Sequence, residues 1–116
     1  MAWFKVDDKF HSHPKTITVS LRALGLWVKA GSWCSDQLTD GAVPTSAIKA
    51  LGGSLKDARE LVASGLWDEC ETGFQFHDWL NMNPSRVAVE EERAKNAQRM
   101  AEWRSKKKTG TDLRAV

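Results

Sequence analysis

A metal site is the first chemistry to consider in this chain, because three histidines and Asp78, which follows His77, are possible ligands. His11 and His13, with His77 as a third, have the right donor atoms for a zinc ion. No two of them have the i, i+4 spacing that places both imidazoles on one helix face, so the pattern predicts no metal site. We expect His13 to precede a helix that begins at Pro14, and His77 and Asp78 to close a hairpin by hydrogen bonds.

A nucleophilic triad would need the residue types of Cys70, His77 and Asp78. His77 and Asp78 are adjacent, neighbours in a strand point to opposite faces, and no oxyanion loop is evident. The pair Gly52-Gly53 lacks the following Lys and Ser or Thr of a phosphate loop, which indicates a turn. The two cysteines have no CxxC spacing, which favours free thiols in a reducing compartment. We therefore expect no enzyme activity and no cofactor.

The basic residues are distributed unevenly along the chain. The net charge is +2, yet residues 1–84 hold 8 Lys and Arg against 10 Asp and Glu, whereas residues 85–116 hold 9 against 5. A basic extension on an almost neutral body indicates a polyanionic partner such as double-stranded DNA. The extension residues expected to contact phosphates are Arg86, Arg93, Lys95, Arg99, Arg104, Lys106, Lys107 and Lys108.

The elements that must position these residues are mainly helices. At 116 residues the chain has room for one domain. Apolar residues at three-and-four spacing predict the longest core helix from Ser20 to Leu38. A short helix, capped by Thr45 or Ser46, should run through Leu51 and be followed by a glycine turn.

The next helix is predicted over residues 54–64. Ser54 and Asp57 have capping-box spacing, and Gly65 is typical of a helix C-terminus. Its expected buried face consists of Leu55, Ala58, Leu61 and Val62. Alternation from Leu66 to His77 predicts two strands around a tight turn, with an acidic tip at Glu69 and Glu71.

The order helix, short helix, glycine turn, helix and hairpin predicts a mainly α fold with a β-hairpin, the winged helix-turn-helix layout. We expect this domain over residues 1–83, a basic C-terminal helix over residues 84–108 and a flexible tail over residues 109–116. In such a fold Ser54, Lys56 and Arg59, together with Glu60, would face bases or phosphates, and Lys49 would touch the DNA backbone. The acidic hairpin tip would be repelled by phosphate.

Several short motifs along residues 1–108 together resemble the N-terminal winged-helix domains of phage replication-initiation or replisome-organiser proteins. These motifs are Trp3-Phe4-Lys5-Val6-Asp7-Asp8, His13-Pro14-Lys15, Gly25-Leu26-Trp27, Trp33-Cys34-Ser35, Ser64-Gly65-Leu66-Trp67, Phe76-His77-Asp78-Trp79 and Asn83-Pro84-Ser85-Arg86. The resemblance implies binding to double-stranded DNA in phage replication or gene control, usually without catalysis. The further C-terminal domain of longer relatives does not follow here, so the resemblance favours a stand-alone binder.

A protein-interaction module is the competing interpretation, because one fold serves unrelated functions. In it the acidic hairpin and Trp103 form the contact surface, and the protein dimerises or inhibits a host protein. Trp27, Trp33 and Trp67 lie on apolar faces, which favours core packing over base stacking. The expected partners are double-stranded DNA, a phage or host replication protein and a second copy of the chain. No membrane is expected, and the predicted location is the host cytoplasm at the nucleoid.

Overall fold

The structure, a computed structural model, describes residues 3–115, with side chains described from Trp3 to Lys107. The chain forms two compact units, Met1–Ser85 and Arg86–Val116. It is mostly helical and carries a small three-stranded antiparallel sheet, which agrees with the prediction of helices and a hairpin.

The first unit consists of short elements around one long helix. In chain order they are a 3-10 turn (Phe10–Ser12), α1 (Pro14–Ile17), α2 (Leu21–Gln37), β1 (Ala42–Pro44), α3 (Thr45–Ala50), α4 (Leu55–Ser64), β2 (Trp67–Cys70), β3 (Gly73–Phe76) and α5 (Trp79–Met82). The second unit is the helix α6 (Arg86–Ala115), which extends beyond the predicted end at Lys108.

The starts of α1 and α2 have side-chain caps, whereas the start of α3 does not. The His13 Nδ1 atom accepts a hydrogen bond from the Lys15 amide at 3.1 Å at the start of α1. Ser20 Oγ accepts one from the Ala23 amide at 3.2 Å at the start of α2. The predicted side-chain cap of α3 was wrong, because Pro44 occupies the N-cap position and Thr45 is already helical.

The sheet has one strand more than the predicted hairpin. Strands β2 and β3 form the hairpin, and β1 pairs with the other edge of β3, with Val43 opposite Phe74. Gly73 lies so close to this strand that a Cβ atom there would approach the Val43 carbonyl oxygen to 2.6 Å. The backbone of β1 thereby leads directly into α3.

Aromatic rings fill the core between α2, the hairpin and α5. Trp27 packs on Phe10 and Phe4, with ring centroids 4.6 and 4.9 Å apart. Phe76 packs on Trp79 at 5.1 Å. The expectation that the tryptophans mark the core is confirmed for the buried Trp27, Trp67 and Trp79, and Trp33 is half-buried against the same cluster.

The amino-terminal segment, residues 3–7, forms no helix or strand, and only part of it packs. Phe4 covers Gly31, where a Cβ atom would meet the phenyl ring at 2.3 Å. The Lys5 amide donates to Asn83 Oδ1 at 3.0 Å, and Asn83 is buried. Trp3, in contrast, is exposed, so the apolar run does not pack as a whole.

Candidate nucleic-acid interface

The helix pair α3 and α4 is joined by a tight turn that contains two glycines, Gly52 and Gly53. Gly52 has φ +88°, a left-handed conformation that side-chain-bearing residues rarely adopt. A Cβ atom on Gly53 would lie 2.7 Å from Leu26 Cδ1 of α2. The turn therefore packs closely against α2.

Asp57 is held on the inner side of α4. Its Oδ2 atom accepts hydrogen bonds from the Ser54 amide and hydroxyl, both at 3.0 Å, and from Arg22 Nε at 3.1 Å. Burial opposes ionisation of Asp57, but these bonds from Arg22 and Ser54 together outweigh it and lower the pKa of the carboxyl below its usual range. The predicted capping box is confirmed, and it engages the hydroxyl of Ser54.

Glu60, the second acidic residue of α4, also turns toward α2. Its carboxylate accepts hydrogen bonds from the Ser20 amide at 2.6 Å and the Ser20 hydroxyl at 2.9 Å. A carboxylate that satisfies unpaired amides at a helix N-terminus stabilises that helix. The expectation that Glu60 faces bases was therefore wrong, because this side chain caps α2.

The outward face of α4 consists of Leu55, Lys56, Arg59 and Ala63, which are all exposed. Leu55 and Arg59 are one helical turn apart, and Lys56 and Arg59 are three residues apart, so these side chains are neighbours. Leu55 is 43% exposed, which corrects its predicted place in the buried face; Ala58 and Leu61 are buried there as expected. This face carries two cations and no carboxylate.

A groove of about 500 Å³ runs between the first turns of α3 and α4. It is lined by Thr45, Ser46, Ile48, Lys49, Gly53, Ser54 and Leu55. The structure thus places Lys49 and Ser54 beside the outward face of α4. The hydroxyls of Thr45 and Ser46 and the Lys49 ammonium, next to an exposed leucine, are groups that can contact both the phosphate backbone and the apolar parts of a duplex, whereas the Ser54 hydroxyl is engaged in the capping box.

The hairpin turn lies close to the start of α3 and has the opposite charge. The Thr45 amide donates to the Thr72 carbonyl at 3.2 Å, which ties the turn to α3. Glu69 and Glu71 are exposed there, and Asp68 is exposed farther along the same edge strand. The exposed cations of this surface are therefore Lys49 and the two on α4, whereas the hairpin contributes carboxylates.

The predicted basic residues of α6 lie on two sides of the helix. Arg86, Arg93 and Arg104 repeat at intervals of 7 and 11 residues and form one stripe, while Lys95, Arg99 and Lys106 form a second stripe on the opposite side. Arg86 Nε bonds Glu90 at 3.0 Å, and Lys107 Nζ lies 5.0 Å from the Trp103 ring centroid. The side chain of Lys108 lies outside the described residues. The structure does not bring these cations to one face.

The cysteine and histidine side chains do not assemble into a triad. Cys70 pairs with Gly73 at the turn of the hairpin, whereas His77 follows the opposite end of β3. His77 Nδ1 lies 3.0 Å from Asp68 Oδ2, and its Nε2 lies 3.4 Å from Asp78 Oδ2. The two neighbours approach each other because the strand has ended and Asp78 has φ 55°. His77 therefore bridges two exposed carboxylates.

The two thiols differ in their surroundings. Cys34 is buried in α2 and its Sγ lies 3.5 Å from the Ala42 carbonyl oxygen. Burial raises the pKa of this thiol to about 11, so it is an unreactive part of the core. Cys70 is exposed, and a hydrogen bond with the Thr72 hydroxyl lowers its pKa. Both cysteines are free.

Over the part of the chain with described side chains, no group of three or more His, Cys, Asp and Glu could hold a metal ion. No helix among the described residues is long and apolar enough to cross a membrane. Comparison of the chain with protein-family models, with curated proteins and with solved structures gives no match.

Proposed function

We propose that this chain is a winged-helix protein that binds double-stranded DNA, with α4 in the major groove. The observation that carries the proposal is the charge separation on α4. Asp57 and Glu60 are both bonded on the α2 side, so Lys56 and Arg59 present the outward face without a competing carboxylate. A helix with this kind of face suits a polyanionic groove.

The element order supports a winged-helix arrangement for this unit. Helices α3 and α4 are joined by a glycine turn, and α4 is followed directly by the hairpin of β2 and β3. The exposed carboxylates of the hairpin favour contact through α4 rather than through the hairpin. The resemblance to phage replication initiators makes replication initiation or gene regulation the setting that we propose.

Each group has a distinct role in this proposal. Arg59 has a planar fork that can bond guanine O6 and N7 together, whereas the Lys56 ammonium acts as a point charge. Lys49 contacts a phosphate from the edge of the groove. The α6 cations contribute attraction that is independent of sequence, because phosphate contacts release counterions. No catalytic step is involved.

The first test is a titration of the full chain with random duplex DNA at about 50 and about 200 mM salt. We expect salt-dependent binding near micromolar concentration, and weaker binding for the double variant Lys56→Glu/Arg59→Glu. A matched control is Lys5→Glu/Lys9→Glu, which changes the net charge equally at exposed residues of the amino-terminal segment. Equal loss of affinity in both variants would contradict binding through α4.

A second test separates recognition from charge. Arg59→Ala should reduce the preference for a selected site over random DNA by about 1 to 3 kcal/mol, if its guanidinium bonds a base edge. The same change should alter affinity for random duplex far less. An unchanged preference would remove Arg59 from the recognition surface.

The alternative proposal is a protein-interaction module that acts through strand β2. This strand pairs only with β3 within the sheet, and its exposed residues Asp68, Glu69 and Cys70 lead to Glu71. An acidic sheet edge suits a basic protein partner. If the chain binds no duplex at micromolar concentration under either salt condition, this alternative replaces the DNA proposal.

A further inference from the structure

Leu55 is an exposed apolar side chain within an otherwise basic surface. It is the first helical residue of α4 and follows the capping residue Ser54. Its side chain lines the groove between α3 and α4 instead of joining Ala58 and Leu61 in the core. Leu55 is one of several large apolar side chains that are exposed, and it is the one among them that lines this groove.

The surroundings of Leu55 indicate the chemistry of what contacts it. Arg59 lies one turn farther along the same face, Lys56 is adjacent in sequence, and Lys49 lines the same groove. Three cations around one leucine fit a polyanion that also offers apolar groups at its surface. On α4 itself, Asp57 and Glu60 are bonded on the α2 side, and the exposed carboxylates Glu69 and Glu71 lie by the hairpin turn that contacts the start of α3.

Duplex DNA meets this description in the major groove. The apolar group that bases display there is the 5-methyl of thymine, whereas the other groups on the base edges are hydrogen-bond donors and acceptors. A leucine makes no hydrogen bonds, so its contribution to recognition is a contact with that methyl. Its position at the start of α4 is the part of a recognition helix that reaches base edges.

We propose that Leu55 is a specificity-determining residue that contacts a thymine 5-methyl group and sets a preference for thymine at one position of the bound site. This inference rests on the proposed binding of DNA through α4. The contact would specify thymine, a base that the cations of this face do not select by themselves.

The test uses the full chain and a duplex site selected from a random pool. Each thymine of the site is replaced in turn by deoxyuridine, which removes the methyl group and leaves the hydrogen-bonding edge unchanged. We expect one position at which this replacement weakens binding about fourfold, the effect of withdrawing one methyl group from an apolar contact. At the other positions the affinity should be unchanged.

Leu55→Ala should bind the thymine and deoxyuridine duplexes equally well, because the variant lacks the side chain that meets the methyl group. The matched control is Leu80→Ala, which removes the same side chain from an exposed position on α5 and should keep the fourfold difference. Since both leucines are exposed, the variants should fold, and their thermal unfolding transitions check this.

Four results would overturn the inference. Equal sensitivity to deoxyuridine in wild type and Leu55→Ala shows that another residue contacts the methyl group. A chain that binds duplex DNA but prefers no site, or is insensitive to every replacement, also contradicts it and leaves the proposed function in place. A chain that binds no duplex overturns both proposals.

Discussion

Asp57 determines, at the scale of a single residue, how α4 is attached to the rest of the unit. One carboxylate oxygen accepts bonds from the backbone and side chain of Ser54 and from the Arg22 guanidinium. Arg22 is largely exposed, so solvent screens the ion pair and reduces its contribution to stability. Asp57 thus takes part in the capping box of α4, and its own negative charge lies on the α2 side of the helix.

We predict that Asp57→Asn lowers the free energy of unfolding by about 1 to 3 kcal/mol at neutral pH, because it weakens bonds to a buried group. The folded-state pKa of Asp57 is below the usual 3.8. Its stabilising effect is therefore complete above that pH and declines as the pH falls through the folded-state pKa. Urea titrations along a pH series should show the difference between wild type and variant shrinking in acid.

The control for this prediction is Asp36→Asn, which alters an exposed carboxylate on α2. It should change the free energy of unfolding by less than about 0.5 kcal/mol. A difference for Asp57→Asn that stays constant down to the lowest pH would show that the charge of Asp57 does not contribute to stability.

At the scale of elements, α6 differs from α4 in how it presents charge. Up to Lys107, where the described side chains end, its cations lie mainly in two opposite stripes and alternate with Glu90, Glu91, Glu92 and Glu102. This part of the helix therefore has no basic face. Such an element can contribute general attraction to phosphates but has no geometry for reading bases.

Charge reversal in α6 should therefore weaken binding to every duplex alike. With Arg104, Lys106 and Lys107 changed to Glu, we expect the slope of log affinity against log salt to fall by about 0.9 for each phosphate that the variant no longer neutralises. Preference for a selected site should be unchanged. Competition titrations with selected and random duplexes measure both quantities, and a weaker preference would place α6 at the base edges.

The sequence predicted the elements of this fold better than their orientation. Local signals determine α2 and α4, whose caps and periodic apolar residues involve neighbours in the chain. β1 was missed because a strand of three residues that ends in Pro44 is too short to show an alternation of apolar and polar residues. It forms through pairing with residues 73–75 of β3. Strand pairing over such a separation leaves no local pattern.

Only part of the candidate site was predicted, because some of its features depend on contacts between residues far apart in the sequence. The structure keeps Lys49, Lys56 and Arg59 exposed, as expected from their charge. The roles of Glu60 and Leu55 depend on how far α4 is rotated about its axis, which is set by contacts with Ser20 and Arg22 some 35 to 40 residues away. The capping box was the sequence signal from which this rotation could have been predicted. It holds Asp57 on the buried side of α4, and Leu55 then lies outside the buried face.

At the scale of the whole molecule, the division into two units leads to a truncation experiment. The aromatic core and the sheet lie within Met1–Ser85. We predict that a chain ending at Ser85 still unfolds in one cooperative thermal transition, because its buried cluster is complete without α6. Precipitation, or the absence of a transition, would show that α6 is required for folding or for self-association.

The hydrogen bond between the Lys5 amide and Asn83 joins residues that are 78 positions apart. During synthesis, Lys5 and its neighbour Phe4 leave the ribosome early, whereas Phe76, Trp79 and Asn83 emerge near the end of the first unit. Phe4 can pack on Trp27 in the nascent chain. Its contacts with Phe76 and Trp79 can form only after the hairpin and α5 have emerged. The first unit therefore closes only after its last turn has emerged and supplied the partners of Phe4 and Lys5.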